Sequence, residues 1–210
     1  MQELAALAGI IAALTVGVIS PGPSFVMVVR VAVASSRSRA LAAALGMGAG
    51  GAVFGAAALL GLQSILLAVP ALYVGLKVLG GLYLCYLGFL IFRSAKRPLA
   101  VAGASGENSH RPPRSFWLGF TTQVSNPKTA VVYASVFAAF LPASFSLGFA
   151  AVLLAAVFLV ESAWYALVAF LFSSSAPQPA YLSYKSWVDR TAGTVMFGLG
   201  LKLVTGAARP

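Results

Sequence analysis

Six long apolar stretches constrain the fold of this chain more than any other feature of its sequence. A helix needs about 20 apolar residues to cross a bilayer core of roughly 30 Å, and each stretch approaches or exceeds that length. The stretches do not alternate polar and apolar residues, as the strands of a membrane barrel must. We therefore expect an all-α membrane protein with six transmembrane helices, at residues 4–29, 40–61, 66–92, 116–141, 146–172 and 188–205.

The amino-acid composition agrees with a membrane environment. Hydrophobic residues make up 60% of the chain and charged residues 9%, whereas about a quarter of an ordinary soluble domain is charged. Arg30, rather than a small-residue cleavage site, follows the first stretch, so we expect this stretch to remain in the protein as a span. The sixth stretch lies between Asp189 and Lys202, and its basic end must extend toward the membrane surface.

The net charge of +10 is explained by orientation in the membrane rather than by binding of nucleic acid. Basic residues occur in the connections after the first, third and fifth spans and are absent from the other two connections. Basic loops face the cytoplasm, so we expect a multi-pass protein of the bacterial inner membrane with both termini outside. The basic loop residues are Arg30, Arg37, Arg39, Arg93, Lys96, Arg97, Arg111, Arg114, Lys185 and Arg190.

One long polar connection divides the chain into two halves. We interpret residues 1–92 as a first three-helix repeat, 93–115 as a polar cytoplasmic linker and 116–210 as a second three-helix repeat. Because each half has an odd number of spans, the second half must be inverted relative to the first. Inverted repeats of this kind are common among secondary transporters.

A weak internal similarity supports this division. The segment Ser20–Pro23 precedes the related segment Ser125–Lys128 by 105 residues. Three further residues recur after 112 residues, namely Gly81, Leu87 and Gly88 as Gly193, Leu199 and Gly200.

Proline and glycine should interrupt the first and fourth helices. Pro21, Gly22 and Pro23 remove two backbone donors and add a flexible residue, and Asn126-Pro127-Lys128 creates the same situation in the fourth span. Each proline by itself is compatible with a simple kink. Two interruptions at corresponding places in two halves instead indicate a substrate-binding site at the interface between the repeats.

Polar side chains accompany both interruptions and are candidates for binding a ligand. Ser20, Ser125 and Asn126 can satisfy either the freed backbone groups or a substrate. Non-helical backbone at membrane depth is tolerated where it lines a wet cavity or is buried in protein. At a rise of about 1.5 Å per residue, Pro21, Pro127 and Glu161 lie roughly 12 to 16 Å from the cytoplasmic helix ends, near the middle of the membrane.

Glu161 is the one acidic residue well inside a predicted span. Ionised and unpaired, it would cost at least ~2.5 kcal/mol on insertion scales, so we expect it to be neutral, paired or in a wet cavity. Lys77 and Lys128 are available partners within spans. Two interpretations remain open: a structural ion pair, or a residue that binds substrate and couples protons. Trp164 and Tyr165, one helical turn away, could line a pocket or simply pack.

These motifs together resemble the LysE/RhtB family of amino-acid exporters. The resemblance rests on Pro21-Gly22-Pro23, on the run from Gly80 to Gly88 with Lys77 before it, and on Phe120 through Asn126-Pro127-Lys128. It covers essentially the whole chain in length, hydropathy and motif order. It implies efflux of amino acids or close derivatives without ATP hydrolysis. An acidic residue in the fifth span near a tryptophan, as Glu161 is here, also fits the family.

Other functions are less well supported by the sequence. An intramembrane enzyme would need Ser125 and Lys128 as a nucleophile pair, but these residues are only three positions apart and Pro127 lies between them. A divalent metal-ion exporter would need several Cys, His or carboxylate ligands within the spans. Cys85 is the single cysteine and His110 lies in the polar loop. We therefore expect no enzymatic activity, no metal and no cofactor.

Small residues follow one face of the second span. Ala40, Ala44 and Gly48 lie four residues apart, as do Gly51 and Gly55. Such spacing lets two helices approach closely. The face is equally compatible with a homodimer and with packing inside one chain.

Overall fold

The computed structural model describes residues 1–68, 70–95, 112–142, 144–173 and 177–207. Helices make up nearly all of this part of the chain, and no strand occurs within it. The prediction of an all-α protein is therefore confirmed. The described residues form eight helices: α1 (Gln2–Ile19), α2 (Pro23–Ala34), α3 (Arg37–Ala68), α4 (Pro70–Ser94), α5 (Pro112–Val124), α6 (Pro127–Phe140), α7 (Leu147–Phe172) and α8 (Pro177–Ala207).

Three of these helices are long and apolar enough to cross a membrane by themselves. They are α1, the Arg37–Gly61 part of α3, and α7. Shorter apolar helices are formed by α2, by Val78–Arg93 of α4 and by α6. Several apolar helices of this kind are typical of a multi-pass membrane protein.

Both predicted helix interruptions are present. The first predicted span consists of α1 and α2 with residues 20–22 between them, and the fourth consists of α5 and α6 with residues 125 and 126 between them. Pro23 and Pro127 begin the second helix of each pair. Proline suits the first helical position because its missing N–H has no intrahelical partner there. The first interruption is one residue longer, so the offset between halves is 105 residues before it and 104 after it.

Helices α4 and α8 cross at two pairs of glycines. A Cβ atom built on Gly88 would lie 2.6 Å from the carbonyl oxygen of Gly193, and one built on Gly81 would lie 2.8 Å from that of Gly200. Real Cβ atoms do not approach an oxygen so closely, so this crossing requires residues without side chains. These four glycines are the ones that recur after 112 residues in the sequence.

The small-residue face of α3 packs inside the chain. Ala40 and Ala44 are fully buried, and Gly51 lies against the side chains of Tyr133 and Glu161. Of the two arrangements open from the sequence, the structure has the intramolecular one. This face is therefore not available to a homodimer, and the interpretation of it as a dimer interface is wrong.

Two hydrophobic clusters lie at different levels of the bundle. The first includes Ile10, Phe137 and Val157, and the second includes Phe25 and Phe172 together with residues of α3 and α7. Along α7, Glu161 lies between Val157 of the first cluster and Tyr165 of the second. The polar residues at the helix interruptions thus form a layer between two apolar regions.

Candidate functional site

A small polar cavity lies beside the two helix interruptions, where α1 and α5 end. Its volume is about 30 Å³, which is room for about one water molecule. Residues from α1, α2, α5, α6, α7 and both interruptions surround it. The lining consists of Leu14, Gly17, Val18, Ser20, Gly22, Ser24, Gln123, Asn126, Lys128, Thr129, Val132, Tyr133, Glu161 and Tyr165.

A chain of hydrogen bonds crosses this cavity and ends at the Glu161 carboxylate. Asn126 Nδ2 donates to Ser24 Oγ at 2.8 Å, and Ser24 Oγ donates to Gln123 Oε1 at 2.6 Å. Gln123 Nε2 then donates to Glu161 Oε2 at 3.0 Å, and Tyr133 donates to Glu161 Oε1 at 2.9 Å. Every donor in this series of hydrogen bonds is directed toward Glu161. The network is therefore arranged to stabilise a negative charge in a buried environment.

Lys128 connects α6 to the end of α1. Its Nζ donates to the carbonyl oxygens of Ser20, at 2.8 Å, and of Gly17, at 3.3 Å. These carbonyls lie at the carboxyl end of α1, where helical carbonyls lack intrahelical partners and the helix dipole favours a cation. The Asn126 side chain also accepts from the Lys128 backbone N–H at 3.0 Å, which caps the start of α6.

The cavity therefore contains two opposite charges, the carboxylate of Glu161 and the ammonium of Lys128. Each of them is hydrogen-bonded to uncharged groups. The sequence suggested a lysine as the partner of Glu161, but its two hydrogen-bond donors are Gln123 and Tyr133. Lys128 also interacts electrostatically with Asp189 of α8 and with Glu161. The positive charge is thus available to a ligand without first breaking a direct ion pair with Glu161.

Asp189 is a buried acidic residue that the sequence analysis placed at the edge of the sixth span. Its side chain is 3% exposed. Helix α8 begins at Pro177, so Asp189 lies about 18 Å along it, at a rise of about 1.5 Å per residue. The polar residues before it obscured the start of this helix. The 112-residue offset, which equates Asp189 with Lys77, was a signal that could have identified it.

Five of the predicted site residues line the cavity: Ser20, Gly22, Asn126, Lys128 and Glu161. They come from three distant parts of the chain, and the structure brings them together at one level.

The other predicted residues lie elsewhere. Pro21 and Pro23 line an adjacent cleft, Ser125 and Pro127 are exposed outside the cavity, and Trp164 packs against the second hydrophobic cluster. The Lys77 side chain is outside the described part of the structure.

Sequence reasoning missed several polar residues that line the cavity. Ser24 directly follows Pro23, and Thr129 directly follows Lys128. Tyr133 lies one helical turn after Thr129 and so shares its face of α6. Gln123 precedes the second interruption by two residues. Ser24, Gln123 and Thr129 were candidates by their proximity to the interruptions, although proximity alone does not show which of them faces the cavity.

The described residues contain no group of three or more His, Cys, Asp or Glu side chains arranged to hold a metal ion. The polar side-chain groups that surround the cavity are hydroxyls, amides, one carboxylate and one ammonium. This set suits a ligand that carries both charges and hydrogen-bonding groups.

Comparison with known proteins identifies the family. Residues 15–207 match the model of the LysE type translocator family. Threonine efflux proteins of Salmonella typhimurium and Escherichia coli are 34% and 33% identical to this chain over 190 residues, which is 90% of this chain and 92% of each relative. An uncharacterized membrane protein of Haemophilus influenzae is 30% identical over 191 residues, 90% of both chains. No solved structure gives a significant match.

These matches confirm the resemblance inferred from the motifs and the location in the inner membrane. The chain belongs to the LysE type translocator family, whose members are membrane transporters and not enzymes.

Proposed function

We propose that this protein exports a small amino acid such as threonine by secondary active transport, with the polar cavity as its binding site. The observation that carries the proposal is the presence of two opposite charges, the buried Glu161 and the half-buried Lys128, in the lining of one cavity between interrupted helices. The threonine efflux relatives support the choice of substrate class.

Glu161 is suited to bind the substrate ammonium. An amino acid brings one positive and one negative group into the membrane, and leaving either unpaired after desolvation is costly. Glu161 is 4% exposed, and its two oxygens face donors that hold the carboxylate in place. The same group can carry a proton when no substrate is bound, which would couple export to the proton gradient.

The opposite side of the cavity is suited to bind the substrate carboxylate. Lys128 supplies the positive charge, and α2 and α6 begin beside the cavity with the positive ends of their dipoles. The Ser20 hydroxyl is buried in the lining and has no hydrogen-bond partner within the described part of the chain. It is therefore free to donate to a bound carboxylate or hydroxyl group.

The glycine contacts between α4 and α8 support two inverted repeats. An offset of 112 residues equates Gly81 with Gly193 and Gly88 with Gly200. In the structure Gly81 meets Gly200 and Gly88 meets Gly193. Such a reciprocal exchange of partners is what a two-fold relation between two halves produces. We infer that residues 1–92 and 116–210 rock against each other to expose the cavity alternately on each side.

The proposed topology has six spans and both termini in the periplasm. In a Cys85→Ser background, single cysteines introduced after residues 36, 105 and 210 should differ in the side of the membrane from which impermeant reagents label them. We expect the first two to react only from the cytoplasmic side and the third only from the periplasmic side. Labelling of the C-terminal cysteine from the cytoplasm would exclude a sixth span or invert the arrangement.

Transport by the purified protein in vesicles tests the proposed activity. We expect uptake of threonine, or of another small amino acid from a panel, that depends on a proton gradient or on an exchangeable amino acid inside. ATP should have no effect.

The same assay separates this proposal from its alternative. Movement of a divalent cation such as Mn²⁺ in the absence of any amino-acid transport would favour a metal-ion exporter. Empty vesicles and vesicles with heat-denatured protein serve as controls.

A further inference from the structure

A second, larger cavity lies next to the polar one. This cleft has a volume of about 560 Å³, within the range of roughly 300 to 1,000 Å³ that is typical of small-molecule sites. An amino acid fits the cleft, whereas the polar cavity of about 30 Å³ is too small for one in this conformation. The cleft is lined by Pro21, Gly22, Pro23, Leu87, Leu90, Ile91, Arg93 and Lys128.

Lys128 and Gly22 separate the cleft from the polar cavity, because both residues line both spaces. A Cβ atom on Gly22 would lie 3.3 Å from Cδ of Lys128, so the lysine stem lies directly across the Gly22 backbone. The ammonium at its end is bound to the carbonyls of Ser20 and Gly17. Movement of this one side chain would therefore connect the two spaces.

The charges of the cleft favour an anionic group. Its described lining carries two cations, Arg93 and Lys128, and no acidic residue. Arg93 is exposed and lies near the end of α4, about 9 Å along the helix from Leu87. It belongs to the basic connection that is assigned to the cytoplasm. A carboxylate that enters from this side meets Arg93 before it reaches Lys128.

We propose that Arg93 forms an entry subsite for the carboxylate of the exported amino acid, which then passes to Lys128. This inference rests on the proposed function. A planar guanidinium binds a carboxylate through two parallel hydrogen bonds. Transfer to Lys128 would give its ammonium a new partner, release it from the carbonyls of Ser20 and Gly17, and admit the substrate to Glu161.

The test compares threonine transport by the wild type, Arg93→Gln and Arg93→Lys in everted vesicles, with threonine amide as a competitor that lacks the negative charge. We expect Arg93→Gln to raise the KM for threonine about two- to fivefold, as for loss of an exposed charge pair, with kcat nearly unchanged. Arg93→Lys should restore most of the affinity. Inhibition by threonine amide should be the same in all three.

Arg114→Gln is the matched control, because Arg114 flanks the same connection, is exposed and does not line the cleft. It should leave KM unchanged. An unchanged KM for Arg93→Gln, with or without less protein in the membrane, would show that Arg93 only anchors the helix at the lipid headgroups and would overturn the proposal. Absence of amino-acid transport in the wild type would instead refute the proposed function, and this inference with it.

Discussion

Glu161→Gln should reduce export at least about 30-fold while leaving the protein folded in the membrane. Loss of one member of a buried charge interaction costs about 2 kcal/mol or more, and glutamine has no charge for the substrate ammonium or the coupled proton. The fold should survive because the hydrogen-bond chain can reverse locally. If the Gln123 amide turns over, its nitrogen donates to Ser24 and its oxygen accepts from the new side chain.

The measurements are the initial rate of threonine transport between pH 5.5 and 8.5 and the melting temperature of the purified protein. The remaining activity of Glu161→Gln should be independent of pH. The other ionisable groups around this site are Tyr133 and Lys128 of α6, Tyr165 of α7 and Asp189 of α8. Because they remain in the variant, loss of the pH dependence would be assigned to Glu161. Glu3→Gln is the control, since Glu3 is a half-exposed residue at the start of α1 that accepts hydrogen bonds from Ser146 and does not line the cavity.

Normal transport by Glu161→Gln at every pH, together with a lower melting temperature, would contradict the mechanism. Glu161 would then be a structural residue that holds α5, α6 and α7 together through its hydrogen bonds. Glu3→Gln should change transport by less than about threefold, as is usual for surface substitutions.

Lys128→Ala should also reduce transport at least about 30-fold, and in addition should lower stability. The substitution removes the cation from the neighbourhood of Asp189 and Glu161, and an uncompensated buried charge costs about 3 to 5 kcal/mol. It also leaves the carbonyls of Gly17 and Ser20 without their donor. Transport rates and melting temperatures of the purified variants measure the two effects.

A second variant separates binding from stability. Lys128→Arg keeps the charge and can reach the same carbonyls, so it should restore the melting temperature while transport stays below the wild-type level, because a guanidinium fills more of the cavity. Lys202→Ala is the control, since Lys202 is exposed on α8 and stacks on Phe140 away from the site. Full activity of stable Lys128→Arg and Lys128→Ala proteins would exclude Lys128 from substrate binding.

The helix interruptions and the membrane environment were predictable from sequence because they depend on local chemistry. A proline lacks its backbone donor wherever the chain places it, so Pro23 and Pro127 each mark the start of a new helix. Long apolar stretches require a lipid environment whatever their neighbours are. The same reasoning located Glu161 and Lys128, since a charge within an apolar stretch is costly in any arrangement.

The composition of the site depended on how the helices face one another. Gln123 and Ser125 are two residues apart, yet Gln123 is buried in the cavity lining and Ser125 is exposed. Successive helical residues differ by about 100° in direction, so proximity in sequence does not decide which side chain enters a cavity. Trp164 likewise lies close to Glu161 along α7 but packs in an apolar cluster.

Long-range contacts decided the remaining features. The small residues of α3 were equally suited to a dimer and to the interior, and the closeness of Gly51 to Tyr133 and Glu161 shows which partner they have. The apolar pattern placed Asp189 at the edge of the sixth span, and its burial follows from the extension of α8 back to Pro177. Local chemistry fixes where a membrane helix starts, breaks and carries charge, but the partners of its side chains come from helices distant in sequence, and only their packing in three dimensions selects them.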